Sequence, residues 1–225
     1  MEYSGATGCS LVPQTLIGMM NWLLVLLLVA SRLLTVNPHA AFLDSQEYVN
    51  LALSPWREAL MSGHSPIHPG YVTVIKLGQM AGIYPAGISA VAGIGTIIVF
   101  YLLVKKLFDT RVARKAAIIL ALLPGVWIVQ SNVMVEAVSL WWLTLATYLA
   151  VKQKWLGAGI SLIMMLLTHN QMLVWLPLAL GFGLLKKDFP ILQLIKVMAG
   201  SILVAALVYA VLGQNLWVLV YTKTG

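Results

Sequence analysis

Two acidic residues stand close together in the stretch FLDSQEYVNLA, residues 42–52. Asp44 and Glu47 are conspicuous there, because only 9% of the 225 residues are charged whereas 60% are hydrophobic. A carboxylate in such surroundings can act as a general base or bind a cation. The same letters also fit a capping box, in which Asp44 accepts hydrogen bonds from first-turn amides and Glu47 reaches back to the cap amide. The residues alone leave both interpretations open.

Other polar side chains that could do chemistry lie near the ends of apolar segments. They are His64, His68, Tyr71, Glu136, His169, Asn170 and Gln171. Each has a simpler explanation, because an acid is favoured at a helix N-terminus and a histidine in a turn can be satisfied by water. Their occurrence in three separate clusters, bounded by short apolar segments, favours a cavity.

Two basic residues lie near these clusters. Lys76 interrupts an apolar stripe, where its ammonium either snorkels to the membrane surface or meets an anionic head group. Arg57 belongs to SPWREAL, residues 54–60. Ser54 and Pro55 predict the cap and first turn of a short surface helix there. Lys76, Arg57 or a histidine could offset the charge of a phosphate.

The elements that carry these residues are predicted from apolar length, since about 20 helical residues cross a bilayer. The composition and a mean hydropathy of +0.91 predict a polytopic all-α membrane protein. Segments 15–34, 86–107 and 192–212 are long enough, and 113–130 and 134–151 are slightly shorter. Segments 71–83, 156–167 and 172–185 are short for spanning. We therefore expect one module over residues 1–225, with about seven transmembrane helices, juxtamembrane helices within 35–70 and no soluble domain.

Basic residues predict the orientation, because positively charged loops stay in the cytoplasm. The basic loops contain Lys105, Lys106, Arg111, Arg114, Lys115, Lys152, Lys154, Lys186 and Lys187. Residues 35–70, 130–137 and 168–171 are then extracytoplasmic, which brings the polar clusters to one face. Segment 71–83 must be re-entrant or interfacial, or else the first helix enters from the other side; we prefer the first option.

The charge and the cysteine content exclude other classes of site. The net charge of +7 is concentrated in the predicted cytoplasmic loops, where anionic lipid head groups explain it. No nucleic-acid-binding motif accompanies it, so we expect no nucleic-acid partner. The single cysteine, Cys9, excludes an internal disulfide and a cysteine metal cluster.

An ordered set of motifs resembles a known family. LDSQEYVNLA, then HPGYVTVIKLGQMAG, then VFYLLVKKLFDTRVARKAAIILALLPGVWIVQSNVMVEAVSLWWLTLATYLAV is similar to the N-terminal transmembrane module of GT-C glycosyltransferases. That superfamily includes protein O-mannosyltransferases and the aminoarabinose transferases of lipid A. The resemblance covers residues 16–185 and is strongest over residues 42–151.

The resemblance implies an enzyme that takes a sugar from a polyprenyl-phosphate or polyprenyl-diphosphate donor on the extracytoplasmic face. Asp44 would be the catalytic base or a metal ligand. A divalent cation, Mg²⁺ or Mn²⁺, stays open as a cofactor, with Asp44 and Glu47 as its ligands. The expected substrate-binding residues are Glu47, Arg57, His68, Tyr71, Lys76, Glu136, His169 and Gln171.

The chain departs from the family in having fewer predicted spans, and in separating its two acids along the sequence. The chain could therefore be a minimal enzyme, a fragment or a subunit completed by a partner membrane protein. The alternative function is a non-catalytic transporter of lipid or lipid-linked sugar, or a subunit of a membrane glycosylation complex. Transporters often contain internal repeats, and we find none. We expect the protein in a prokaryotic inner or plasma membrane, in contact with membrane lipids and a lipid-linked sugar.

Overall fold

A computed structural model describes residues 27–28, 30–37, 43–61, 68–175, 177, 181 and 189–213, and the regular elements in these ranges are all helical. This confirms the predicted all-α class for the described part of the chain. After a helical stretch at residues 30–34, the elements are α1 (Leu43–Leu53), α2 (Trp56–Met61), α3 (Pro69–Met80), α4 (Pro85–Leu107), α5 (Thr110–Leu122), α6 (Pro124–Ser131), α7 (Val135–Val151), α8 (Trp155–Thr168), a 3₁₀ helix (Asn170–Trp175) and α9 (Ile191–Val211).

Residues at the helix N-termini explain where several of these elements begin. Pro69, Pro85 and Pro124 open α3, α4 and α6. Proline suits a first helical turn, because its fixed φ is helical and its missing amide has no intrahelical partner there. Asp109 caps α5 by accepting hydrogen bonds from two first-turn amides at 2.6 and 2.9 Å. These bonds hold the pKa of Asp109 below its ordinary value.

Among the described residues, two helices are long and apolar enough to cross a membrane. They are α4, with 23 residues, and α9, with 21 residues. The pair α5 and α6 would give a third span, but it bends by 64° at its break. The apolar helices α7 and α8 have 17 and 14 residues, which is shorter than a bilayer needs. A bundle of seven transmembrane helices is therefore not confirmed. Most of the predicted segments 15–34 and 172–185 lies outside the described residues.

The break between α5 and α6 divides the predicted span 113–130. Pro124 causes it, because proline has no amide to continue the helical hydrogen bonds and its ring clashes with the preceding turn. Arg32, which is fully buried, donates a hydrogen bond to the carbonyl of Ala121 in the last turn of α5. The same guanidinium donates from Nε to Gln130 at 2.9 Å and lies 4.0 Å from the ring centroid of Trp127. A buried cation thus stabilises the break.

Contacts between helices show the relative directions of their axes. The Ser89 hydroxyl accepts a hydrogen bond from the Met134 amide at 3.4 Å, and Gly95 contacts Trp141 farther along both helices, so α4 and α7 are parallel. The short connection through Gln153 makes α8 antiparallel to α7.

Helix α9 is parallel to α8, because both of its contacts follow the same order along the two helices. Ser201 donates to the Gly159 carbonyl at 3.2 Å, and the Tyr209 hydroxyl donates to the Leu166 carbonyl at 3.1 Å. The starts of α4 and α7 and the ends of α8 and α9 therefore lie at one end of the bundle, which we call the polar end.

The opposite end of the bundle carries basic residues. It includes the end of α4, the start of α5 and the connection from α7 to α8, which contain Lys105, Lys106, Arg111, Arg114, Lys115, Lys152 and Lys154. We call it the basic end. Helix α7 separates the two ends by about 25 Å at a rise of about 1.5 Å per residue. Lys186 and Lys187 lie outside the described residues.

Helix α3 begins and ends at the polar end. A Cβ atom added at Gly70 would lie 2.8 Å from the carbonyl carbon of Leu167 near the end of α8. A Cβ added at Gly78 would meet the Ile88 side chain in the first turn of α4. This placement agrees with the interpretation that segment 71–83 is re-entrant or interfacial.

Two short helices occupy residues 43–61, as predicted for this loop, but both predicted caps are wrong. Helix α1 already begins at Leu43, so Asp44 is a first-turn residue, where the helix dipole favours an acid, and not the cap. The Ser54 hydroxyl donates back to the Asn50 carbonyl of α1 at 3.2 Å, and α2 begins only after Pro55. Ser54 therefore belongs to the end of α1.

Candidate functional site

Five side chains from four helices meet at the polar end, and we call this cluster the polar junction. Tyr48 comes from α1, His68 and Tyr71 from the start of α3, Glu136 from the first turn of α7 and His169 from the end of α8. The rings of His68 and His169 stack with centroids 5.0 Å apart and planes at 12°. Tyr48 lies 5.7 Å from His68 and meets Tyr71 edge to face at 5.0 Å. The structure thus brings together predicted site residues that are far apart in the sequence.

A glycine brings the two histidines together. Pro69 and Gly70 form the first turn of α3, directly after His68. The approach of Gly70 to Leu167 would be blocked by any side chain, because a Cβ atom there would lie only 2.8 Å from the backbone of α8. This close packing sets α3 against the end of α8, where His169 follows the last turn.

Glu136 lies among the other members of the polar junction. It is partly buried, and its Oε2 atom is buried without a hydrogen-bond partner among the described residues. Its charge acts on Tyr48, Tyr71 and His169. Glu136 therefore couples electrostatically to side chains from three other helices.

Burial determines the protonation states around Glu136. It lowers the pKa of His169 below the ordinary value, although the Glu136 carboxylate partly opposes this shift. It also raises the pKa of the Tyr48 hydroxyl, with further contributions from Asp44, Glu136 and Glu47. At neutral pH the imidazole of His169 and the phenol of Tyr48 are therefore uncharged.

The polar junction contains polar atoms whose hydrogen-bonding capacity is unfilled. Within the described ranges, the Tyr71 hydroxyl, Glu136 Oε2 and His169 Nδ1 are buried and have no hydrogen-bond partner. The Tyr71 side chain is fully buried, and its hydroxyl lies near Ser89 without a hydrogen bond of normal geometry. Buried polar groups are nearly always paired in folded proteins, so these atoms indicate a place for a polar ligand or water.

Asp44 and Glu47 lie at the rim of the polar junction. Asp44 is exposed and Glu47 is partly buried on α1, and both charges act on Tyr48. No group of three or more His, Cys, Asp or Glu side chains in the described part of the chain is arranged to hold a metal ion. Asp44 and Glu47 thus remain a pair of acids without a third ligand in those ranges.

Lys76 lies outside the polar junction and has a structural contact. Its ammonium is buried and donates hydrogen bonds to the carbonyls of Ala52, at 2.9 Å, and Ser54, and it lies 5.1 Å from the ring centroid of Trp56. A cation at these carbonyls stabilises the C-terminus of α1. The predicted snorkelling is therefore wrong, because the end of α1 takes up the ammonium, whereas the head-group contact stays a prediction.

Two of the remaining predicted residues have exposed side chains. Arg57 is exposed on α2, and Gln171 is exposed in the 3₁₀ helix beside His169. Asn170 is buried next to His169, and His64 lies outside the described residues.

The sequence analysis missed Tyr48 as a member of the site. A signal was present, since Tyr48 is four residues after Asp44, and such residues share one face of a helix.

Comparisons with protein families, curated proteins and solved structures find no match to this chain. The resemblance to GT-C glycosyltransferases therefore rests on the order of the sequence motifs alone.

Proposed function

We propose that this protein is a membrane glycosyltransferase of the GT-C type, which moves a sugar from a polyprenyl-phosphate donor to an acceptor hydroxyl. The observation that carries the proposal is the polar junction, where unfilled polar atoms of Tyr71, Glu136 and His169 lie beside the acids of α1. A few convergent polar groups among aromatic side chains are typical of small-molecule sites.

The reaction needs one base at the acceptor. In our proposal the Asp44 carboxylate takes the proton from the acceptor hydroxyl, and the resulting oxygen attacks the anomeric carbon of the donor sugar. The bond from that carbon to the phosphate oxygen breaks, and the phosphate leaves with the electron pair. Asp44 suits this task because it is exposed at the rim, where an acceptor can reach it.

The polar junction would hold the sugar ring. The Tyr71 hydroxyl can donate a hydrogen bond, whereas Glu136 Oε2 can only accept one and an unprotonated His169 Nδ1 would also accept. The aromatic rings of Tyr48 and Tyr71 provide the apolar faces on which sugar rings stack. Binding there would fill hydrogen-bonding capacity that the described residues leave open.

Helix length and charge support the membrane placement. Helices α4 and α9 have the length and apolar character of spans. Positively charged loops stay in the cytoplasm, so the basic end would be cytoplasmic and the polar junction extracytoplasmic. A lipid-linked donor could then lay its polyprenyl chain along the apolar helix surfaces while its sugar enters the polar junction.

A second candidate is a non-catalytic subunit that binds lipid-linked sugar within a larger membrane complex. One observation favours it. Among the described residues, the causes that act on Tyr48, Tyr71 and His169 include the carboxylates of Asp44, Glu47 and Glu136 but no Lys or Arg that could stabilise a departing phosphate. A partner chain would supply that cation in this alternative.

Sugar transfer by the purified protein in lipid nanodiscs tests the proposal. We expect transfer from at least one radiolabelled polyprenyl-phosphate sugar, and a loss of about 100-fold or more in Asp44→Asn, because a general base contributes about that much. The matched control is Glu58→Gln, which neutralises an exposed first-turn acid of the neighbouring helix α2. Parallel reactions with EDTA, Mg²⁺ or Mn²⁺ determine whether a divalent cation is required.

Two results would contradict parts of the proposal. Full activity in Asp44→Asn would exclude Asp44 as the base. Donor binding without transfer by a folded wild-type protein would favour the subunit.

A further inference from the structure

Three carboxylates act on the side chains of the polar junction. In the part of the chain that the structure describes, Asp44, Glu47 and Glu136 act on Tyr48, Glu136 acts on Tyr71 and His169, and no Lys or Arg side chain is a cause of these shifts. Asp44 and Glu47 reach water at the rim, whereas the Oε2 atom of Glu136 is buried. A buried carboxylate is costly unless a positive charge or several hydrogen bonds compensate it.

His169 does not neutralise this charge, because burial keeps its imidazole uncharged at neutral pH. The ring of His68 stacks on it with centroids 5.0 Å apart.

The Lys and Arg side chains that are buried in the described part of the chain form hydrogen bonds away from the polar junction. Lys76 donates to carbonyls at the C-terminal end of α1, about 13 Å along that helix from Asp44. Arg32 is hydrogen-bonded to Gln130 and to the carbonyl of Ala121 at the break between α5 and α6. Neither can turn to Glu136 without leaving buried acceptors unpaired.

We propose that the polar junction binds an organic ammonium group, with Glu136 as its counter-ion and the tyrosines Tyr48 and Tyr71 as its aromatic walls. A carboxylate beside aromatic faces is the combination that recognises such cations. A second observation also indicates a ligand, because the fully buried Tyr71 has a hydroxyl that lacks a hydrogen-bond partner within the described ranges.

Competing ligand chemistries fit less well. A phosphate would be repelled by the carboxylates. A metal ion would need more ligands than the described residues bring together. The inference uses the same cluster as the proposed function and names the ligand chemistry more closely. An ammonium group could come from an amine-bearing sugar or from an ethanolamine lipid head group.

Binding to the full-length protein in phosphatidylglycerol nanodiscs, which contain no ammonium, tests the inference. The probes are glucosamine and glucose, which differ only by an amine in place of a hydroxyl, and affinity is measured from ligand-induced shifts in Tm. We expect glucosamine to bind at least about tenfold more tightly than glucose, a difference of about 1.4 kcal/mol. Glu136→Gln should abolish this preference, and the matched control Glu58→Gln should retain it.

A comparison of lipid compositions distinguishes the two sources of the ammonium group, a sugar and a lipid head group. Nanodiscs that contain phosphatidylethanolamine should raise the Tm of wild type relative to Glu136→Gln if the head group is the ligand. A preference for glucosamine without this lipid effect identifies an amine-bearing sugar. If Glu136→Gln fails to fold, Glu136→Asp and Tyr71→Phe replace it; Glu136→Asp keeps the charge and should retain the preference, whereas Tyr71→Phe should weaken glucosamine binding.

Several results would overturn the inference. They are equal binding of glucosamine and glucose without a lipid effect, an unchanged preference in Glu136→Gln, or tighter binding of inorganic phosphate than of either sugar. The readout does not require sugar transfer. If the protein transfers neutral sugars and shows no preference for amines, the ammonium site is overturned and the proposed enzyme stands. If it binds amines but transfers no sugar, the proposed enzyme is overturned and the ammonium site stands.

Discussion

Arg32 is a fully buried cation and Glu136 a partly buried acid, and the two differ in how their hydrogen bonds are used. The guanidinium of Arg32 donates to Gln130 and to the carbonyl of Ala121, and it lies against the ring of Trp127. The carboxylate of Glu136 keeps a buried oxygen without a partner in the described part of the chain. The first site is filled by the protein itself, whereas the second is not.

The difference separates a structural charge from a ligand-binding charge. A buried group whose partners all come from the fold stabilises that fold, because removing it leaves those partners unpaired. A buried group with unfilled capacity lowers the stability of the empty protein and gains its partner when a ligand binds. Arg32 therefore belongs to the architecture, whereas Glu136 has the unfilled capacity that the proposed function requires.

The largest expected effect is on stability at Arg32. Arg32→Met leaves the side-chain oxygen of Gln130 and the Ala121 carbonyl buried without donors, so we expect a loss of about 3 kcal/mol in the free energy of unfolding. Glu136→Gln should lose less than about 1 kcal/mol, because its Oε2 atom makes no hydrogen bond to lose. Denaturant unfolding in mixed micelles measures both, with the exposed Arg57→Met as control. Equal losses at Arg32 and Glu136 would remove the distinction.

A smaller effect is expected where α3 packs on α8. Gly70→Ala places a Cβ atom 2.8 Å from the backbone of Leu167, so α3 must shift and carry His68 away from His169. We expect a loss of about 1–3 kcal/mol in stability, together with weaker ligand binding at the polar junction. Gly200→Ala is the matched control, because a Cβ atom there meets nothing within 4 Å and alanine favours a helix. Full ligand affinity in Gly70→Ala would show that the stacked histidines are not part of the site.

The smallest effect is a pH dependence of stability at His169. Its pKa is lower in the folded protein than in the unfolded chain, chiefly because of burial. The unfolded chain therefore takes up this proton first as the pH falls, and stability decreases below the ordinary histidine pKa of about 6.5. Thermal unfolding at pH 7 and pH 5 should show a smaller decrease in His169→Gln than in wild type. An equal decrease in both would assign the acid sensitivity to other groups.

The sequence was informative about which residues share an end of the bundle. The ends of apolar runs can be read directly, and Glu136, His68 and His169 each border such a run. The stacking of the two histidines could not be read, because it depends on the approach of Gly70 to a helix far along the chain. Helix propensity and hydropathy contain no information about that distance.

The partners of the two buried cations could not be predicted for a related reason. Charge and hydropathy alone make Lys76 resemble a ligand contact, whereas its partners are main-chain carbonyls, which every residue has. Arg32 received no role from the sequence, although Pro124 gave the signal of a helix break inside the predicted span. The break exposes a carbonyl, and only the folded structure shows which donor reaches it.

The contact between Gly70 and Leu167 also has a consequence for the order of synthesis. The two residues are 167 − 70 = 97 positions apart, and a ribosome needs about 5–20 s to add that many residues at about 5–20 residues per second. During that interval α3 has left the ribosome but has no α8 to pack against. The α3 side of the polar junction is therefore synthesised before the α8 side, and His68 can meet His169 only after α8 has been made.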